Sequence, residues 1–326
     1  MQFRTLGSTG VQVSQLCFGT MSFGGDADES ASAAMYKRCR DTGINFFDTA
    51  DVYAQGRSEE ILGKQIRGHR DDLVIATKCH QPTGTDINAK GASRRHIALA
   101  LEASLKRLGT DRVDVFFLHM FDPLTPMEEA MRGMEDLARA GKILYPAVSN
   151  YAAWQIQKLL GIQERMGWAR IQVLEPMYNL VKRQAEVEIL PMALANGVGV
   201  IPYSPVGGGL LSGKYAGSRK PEVGRLLTNK MYQARYGDDS AQQTAVRFTE
   251  FCEKRHFHPV SLAVAWVGSH PAVTAPIIGA RSVEQLDASL KSVEINMTPE
   301  LRADVSALSP TPPLPTDRSE EAKPAS

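Results

Sequence analysis

The feature that most constrains this chain is a rhythm: short apolar runs alternate with polar–apolar helical stretches along nearly its whole length. Strand-like runs fall at residues 15–19, 46–48, 73–78, 113–119, 144–149, 171–175, 199–202 and 274–278. They are apolar throughout, as expected for strands covered on both faces. Between them apolar residues recur at helical spacing. Ile97, Leu101, Leu105 and Leu108 form one set, Met127, Met131, Met134 and Leu137 a second, and Ile156, Leu159 and Leu160 a third. Gly43, Gly109 and Gly141 each follow such a stretch, where a helix C-cap takes positive φ.

Strand and helix in alternation mean a parallel sheet covered by helices. Eight units predict closure into an α/β (β/α)8 TIM barrel, and 326 residues suit one such unit with insertions. Residues 2–14, with Gly7 and Gly10 around a Ser-Thr pair, predict an N-terminal β-hairpin. Nothing reads as an interdomain linker, so residues 1–310 are expected to form one barrel and 311–326 a Pro-rich tail, disordered or laid out as polyproline II. Residues 204–239, rich in Gly, Lys and Arg, show no clear element and predict a long loop on the C-terminal face, functional or mobile.

Charge excludes some functions. With 37 basic and 36 acidic residues the net charge is +1, which gives neither a nucleic-acid backbone nor an anionic membrane much to bind. Cys17, Cys39, Cys79 and Cys252 are scattered, with no CxxC pair and no His at ligand spacing, so free thiols and no metal site are expected. The opening MQFRTLGSTG has no apolar core of a signal peptide, and no run of about 18 apolar residues occurs, so a cytoplasmic location is expected.

In a (β/α)8 barrel, function gathers at the C-terminal ends of the strands. The predicted strands deliver Thr20, Asp48, Lys78 and His119 there, then Ser149 and Asn150, Gln172, Ser204 and Gly279. A structural barrel has no need of Asp, Lys and His at three successive strand ends, and buried charges must be paired. Tyr53, in DTADVY, follows Asp48 by a spacing that brings the chain back over the barrel mouth. A free phenol, with a pKa of about 10, is a poor acid at neutral pH. A neighbouring ammonium favours the phenolate, and a carboxylate holds the ammonium. Such a site offers an acid and an oxyanion pocket but no obvious nucleophile, which suits carbonyl reduction better than hydrolysis.

The chain resembles the aldo-keto reductase superfamily from RTLGSTGVQVSQLCFGTMSFG to GARSVEQLDASL. The resemblance is carried by GTM at 19–21, FDTADVY at 47–53, TK at 77–78, FFLH at 116–119, SNY at 149–151, Gln172 and YSPVGGGLLSGKY at 203–215. It implies a catalytic tetrad of Asp48, Tyr53, Lys78 and His119, and NADPH (NADP+) bound in extended form without a Rossmann loop. Ser149, Asn150 and Gln172 would hold the carboxamide and Tyr203 would stack on the nicotinamide. Gly19, Thr20, Met21 and Gly279 would join the cofactor set, with Ser204, Pro205, Val206, Gly207, Gly208 and Lys214 along the pyrophosphate. Arg281, Gln285 and Ser289 would meet the adenosine end, where a guanidinium suits a 2′-phosphate and Ser289 stands where the family often has Asn. The implied substrate is a small-molecule carbonyl: an aromatic aldehyde, a dicarbonyl or a bulky xenobiotic ketone such as a mycotoxin, in a detoxification role. The alternative is a nicotinamide-binding, redox-sensing regulatory subunit with little turnover.

Several residues have plainer readings. Asp48 alone would more often be a cap or turn residue, and GGLLSGKY falls short of a phosphate-binding P-loop because Tyr215 stands where Ser or Thr must bind magnesium. Phe23, His80, Met120, Phe121, Tyr151 and Tyr236 are candidates to line a substrate pocket, or simply packing. His256, His258 and His270 read as surface or core residues, and the Met-rich helix as a packed face.

Overall fold

The computed structural model describes residues 1–215, 224–316 and 318. A two-stranded antiparallel hairpin, β1 (Phe3–Thr5) and β2 (Gln12–Ser14), precedes eight parallel strands. These are β3 (Cys17–Gly19), β4 (Phe46–Asp48), β5 (Val74–Cys79), β6 (Val113–Leu118), β7 (Ile143–Ser149), β8 (Val173–Glu175), β9 (Gly199–Val200) and β10 (Ile277–Ile278). They pair in chain order from β3 to β9, with β10 beside β3. The ring closes where Thr274 N donates to Val200 O (2.8 Å) and Ile277 N to Pro202 O (2.9 Å). The chain is a (β/α)8 barrel with an N-terminal hairpin.

All eight strands lie where the apolar runs predict them, but β3, β8, β9 and β10 are shorter than expected, and for the last two the reason is local. Pro202 and Pro276 lack the N–H that would extend the ladder. The helices α1 (Glu29–Asp41), α2 (Arg57–Gln65), α3 (Arg94–Leu108), α4 (Met127–Arg139) and α5 (Ala153–Met166) bury their periodic apolar faces on the strands. Ser93 caps α3 by accepting from His96 N, and Gly109 ends it in the left-handed region. The methionines of α4 are buried.

Strand parity divides the barrel into two cores. Cys17, Phe46, Val74, Ala76, Val115, Phe117, Ala147, Val173, Ile201, Ala275 and Ile277 fill the interior, while their neighbours Phe18, Phe47, Ile75, Phe116, Val148 and Leu174 pack outward against helices. The hairpin adds Leu6 and Val13 to the interior cluster, both fully buried. Arg4 Nη1 ties the hairpin down, donating to the carbonyls of Gly268, Val273 and Thr274.

The segment 204–239 is more ordered than its composition suggests. A 3-10 turn spans Gly207–Ser212 and helices span Arg225–Thr228 and Lys230–Tyr236. The last begins where the Asn229 side chain accepts from Met231 N and Tyr232 N. Residues 216–223 of that segment, and 317 and 319–326 of the C-terminal tail, lie outside the described residues. Residues 311–314 carry no regular element, and Leu308 O accepts from Arg247 Nε.

Because Leu6 plugs the interior far from the strand ends that carry charge, Leu6→Ala should cost about 2–5 kcal/mol of stability. Thermal unfolding checks the loss, and cofactor affinity measured well below the transition should be unchanged.

Candidate active site

The parity that fills the barrel also aims its top residues. Continuing each inward row past the last apolar side chain gives Gly19, Asp48, Lys78, His119, Ser149, Glu175, Tyr203 and Gly279. Register brings them level: Gly19 pairs with Asp48, and Ser149 with Glu175. Lys78 is fully buried, and its ammonium organises the site. Nζ donates to Asp48 Oδ1 (2.6 Å), Asp48 Oδ2 (2.5 Å) and Thr49 O (2.9 Å). An ammonium has three donors, so these partners use all of them. Two further oxygens stand farther off, Tyr53 OH at 3.5 Å and Glu175 Oε2 at 3.3 Å. The Glu175 oxygen makes an ion-pair approach but has no well-aligned hydrogen bond among the described residues.

Burial governs the acidities here. Asp48 is pushed up by burial against the opposing pull of Lys78, whose own proton is held tightly by the carboxylates around it. Glu175 is pushed up to about 8, by burial first and then by the charge of Asp48. Lys78 pulls the Tyr53 phenol down as expected, but burial outweighs that pull. Burial raises Tyr53 well above its ordinary value, and Lys78, drawn toward Asp48, offsets only part of it. His119 falls to about 3 through burial, then the charges of Lys78 and His80, so its imidazole is neutral. Its ring stands edge-on to Tyr53, with centroids 6.1 Å apart.

A cleft of about 890 Å³ opens over this cluster. Among the predicted residues, Gly19, Met21, Asp48, Tyr53, His119, Met120 and Asn150 line it from strands β3 to β7 and their loops. Tyr203, Ser204, Pro205, Val206, Gly208 and Lys214 line it after β9, and Gly279, Arg281, Gln285 and Ser289 after β10. Tyr203 OH donates to Asn150 Oδ1 (2.7 Å), and Asn150 Nδ2 donates to His119 O (2.9 Å), which joins three strand ends. Arg281 pairs with Asp26 at 2.9 Å, and its backbone N–H donates to Gln285 Oε1.

Backbone strain collects at the same rim. Of the six non-glycine residues with positive φ among the described residues, Ala54, Gln55, His80, Asn150 and Ser204 lie on loops that follow barrel strands. Each such conformation costs on the order of 1 kcal/mol or more and is held by its surroundings. For Ser204 the support includes its carbonyl, which accepts from Asn179 Nδ2 (3.0 Å).

Other predicted residues stand elsewhere. Gln172 does not reach the cleft: it precedes β8, points with the opposite parity, and accepts from Ser8 of the hairpin at 2.8 Å. Thr20 is buried, bonded to Ser58 and the Asp48 carbonyl, and Ser149 donates to Glu175 O from behind the cleft. Gly207 is buried under the turn that carries Gly208. Phe23 packs on Phe18 in the outer core, and Tyr236 is buried with its hydroxyl accepting from Asn179. Tyr151 is buried edge-on to Phe121, which also meets Trp154, and both ring nitrogens of His80 are buried without a hydrogen-bond partner among the described residues. His256 caps a helix and His270 stands edge-on to Tyr178, but His258 lines the cleft. The sequence reading also passes over Glu175, Arg235 and Tyr232, which line it too. For Glu175 a usable signal existed, since alternation along β8 makes Val173 and Glu175, not Gln172, the inward pair.

Comparison with known proteins agrees with this geometry. Residues 15–309 match the aldo/keto reductase family model. This chain belongs to that family. It is 36% identical to the uncharacterized oxidoreductase YrpG of Bacillus subtilis, over 96% of this chain and 97% of that one. It is 35% identical to a probable voltage-gated potassium channel subunit beta of Oryza sativa, over 97% and 99% of the two chains. Versiconal hemiacetal acetate reductase of Aspergillus parasiticus is 34% identical, over 92% and 94%. The chain is therefore an oxidoreductase of the aldo/keto reductase kind. No helix among the described residues is long and apolar enough to cross a membrane.

The chemistry of the cleft fits a nicotinamide dinucleotide. Lys214, Arg235 and Arg281 offer cations to phosphate oxygens, with Glu284 beside them, and Asn150 and Glu175 offer polar atoms to a carboxamide. The volume is in the range of cofactor pockets, about 300–1,000 Å³.

The His119 ring should stay neutral through the physiological range. Between the unfolded value of about 6.5 and the folded value of about 3, the unfolded chain binds a proton that the native one refuses. This group therefore weakens the fold as pH drops through that window. A proton NMR titration should show the His119 ring signals unmoved between about pH 5 and 8, and a midpoint inside that range would contradict the assignment.

Proposed function

We propose that this chain reduces a ketone or aldehyde to an alcohol with NADPH, Tyr53 giving the proton to the carbonyl oxygen. The observation that carries the reading is the convergence of Tyr53, Lys78, Asp48 and His119 at one end of one cleft, with cations along its length. When bound, NADPH supplies the hydride. Asn150 and Tyr203, hydrogen-bonded to each other at 2.7 Å, would orient the nicotinamide end, and Glu175 would face it. Lys214 and Arg235 would follow the pyrophosphate, and Arg281 would meet a 2′-phosphate, exchanging its present partner Asp26 for it.

His119 is suited to hold the substrate oxygen because a neutral imidazole can donate a hydrogen bond without introducing charge. Tyr53 is a weak acid in the resting site, so its proton leaves only as negative charge builds on the carbonyl oxygen. At that moment the Lys78 ammonium, 3.5 Å from the phenol oxygen, stabilises the phenolate. Asp48 keeps the ammonium in position. Met21 and Met120 line the cleft and expose apolar surface there, which favours an aromatic or otherwise apolar carbonyl.

A second reading, a cofactor-binding regulatory subunit with slow turnover, draws on the likeness to proteins named as potassium channel beta subunits. NADPH oxidation over a panel of carbonyls separates the two, since the regulatory reading requires tight binding with little turnover.

The Tyr53→Phe variant should bind NADPH nearly as the wild type does and lose about 10²–10⁴-fold in kcat. Stopped-flow cofactor oxidation with an aromatic aldehyde measures both, and wild-type turnover in this variant would overturn the role of Tyr53.

A further inference from the structure

Lys78 has one positive charge and two buried carboxylates beside it, Asp48 and Glu175. All three of its donors are already spent, two on Asp48 and one on Thr49 O. Glu175 Oε2 is therefore left without a hydrogen bond among the described residues, on a side chain only 4% exposed. If the carboxylate is ionised, that oxygen lacks both solvent and a donor although the side chain also borders the cleft, a costly state that protonation removes. Asp48, served twice, is the carboxylate that stays ionised. Other titratable groups do not relieve Glu175: Tyr53 from the loop after β4, Tyr203 from the segment after β9 and Cys17 from β3 are neutral neighbours. With one proton on Glu175 the cluster of Lys78, Asp48 and Glu175 is neutral.

We propose that Glu175 is the proton reservoir of this site, protonated while the reduced cofactor is bound and emptied through Lys78 to Tyr53 after each turnover. This rests on the reading of Tyr53 as proton donor and NADPH as reductant. The balance is complete. Two electrons and one hydrogen reach the carbonyl carbon as hydride, and the Tyr53 O–H bond breaks as the new alcohol O–H forms. Lys78 then returns a proton to the phenolate, and Glu175 gives its own to Lys78. Tyr53 and Lys78 end as they began, and Glu175 ends as a carboxylate. The cleft now holds one more negative charge, matching the one more positive charge of an oxidised nicotinamide. Glu175 acts through Lys78, so it is a positioning and proton-supplying group rather than a contact to the substrate. The resting site, in turn, should favour the reduced cofactor until that proton is gone.

Isothermal titration calorimetry near neutral pH, in buffers of different ionisation enthalpy, measures protons exchanged on binding. Wild-type protein should release close to one proton per NADP+ bound and close to none per NADPH. Glu175→Gln keeps the shape and cannot ionise. It should abolish the NADP+-linked release and weaken NADP+ relative to NADPH on the order of tenfold, the loss of one nearby charge. Infrared difference spectra of the wild-type protein provide a measurement that needs no variant: NADP+ should remove a protonated-carboxyl band that NADPH leaves in place. Equal proton release with both cofactors, release that survives in Glu175→Gln, or a carboxyl band indifferent to NADP+ would overturn this inference and leave the reductase reading intact. If the wild-type protein binds neither dinucleotide, both readings fall.

Discussion

A fully buried ammonium is the constraint on which the rest of this site depends. Lys78 cannot sit at the top of an apolar barrel without counter-charge, and its requirement is met from several strands at once. Asp48 on β4 binds it twice, the Thr49 carbonyl takes its third donor, and Glu175 approaches from β8 across the barrel. Removing Asp48 would leave a buried charge short of its main partner, which typically costs several kcal/mol. The acidity of Tyr53, the neutrality of His119 and the acidity of Glu175 all respond to that one charge, although burial sets the larger part of each.

Much of the fold was legible because its signals are local. Eight apolar runs, helix faces at regular spacing and glycines after them are each read from a few adjacent residues, and the barrel follows from their number. Two of the strands that came out short, β9 and β10, are bounded by Pro202 and Pro276, whose effect on hydrogen bonding could have been counted in advance. The order in 225–236 was hidden because helices of 4 and 7 residues are too short to leave a periodic trace.

The site was legible where strand ends carry unusual residues and illegible where facing matters. Asp48, Lys78 and His119 sit on inward rows and at the cleft, or directly behind it, as their positions suggested. Gln172, just before β8, and Glu175, at its end, lie three residues apart with opposite facing, and only Glu175 reaches the cleft. Phe23 and Tyr236 were misjudged for a related reason: a loop near the mouth can still turn its aromatic ring into the outer core. The His119 and Tyr53 acidities depend on depth of burial, which no spacing expresses.

The hairpin at the other end has a consequence for traffic. By filling the base of the barrel with Leu6 and Val13, and being tied there by Arg4, it makes the interior a blind cup rather than a tunnel. Everything that reaches Lys78 and Tyr53 must pass the same rim, and whatever lies deepest is trapped by whatever lies above it. A guest seated at the bottom of such a cup would have to arrive before, and leave after, any guest seated above it.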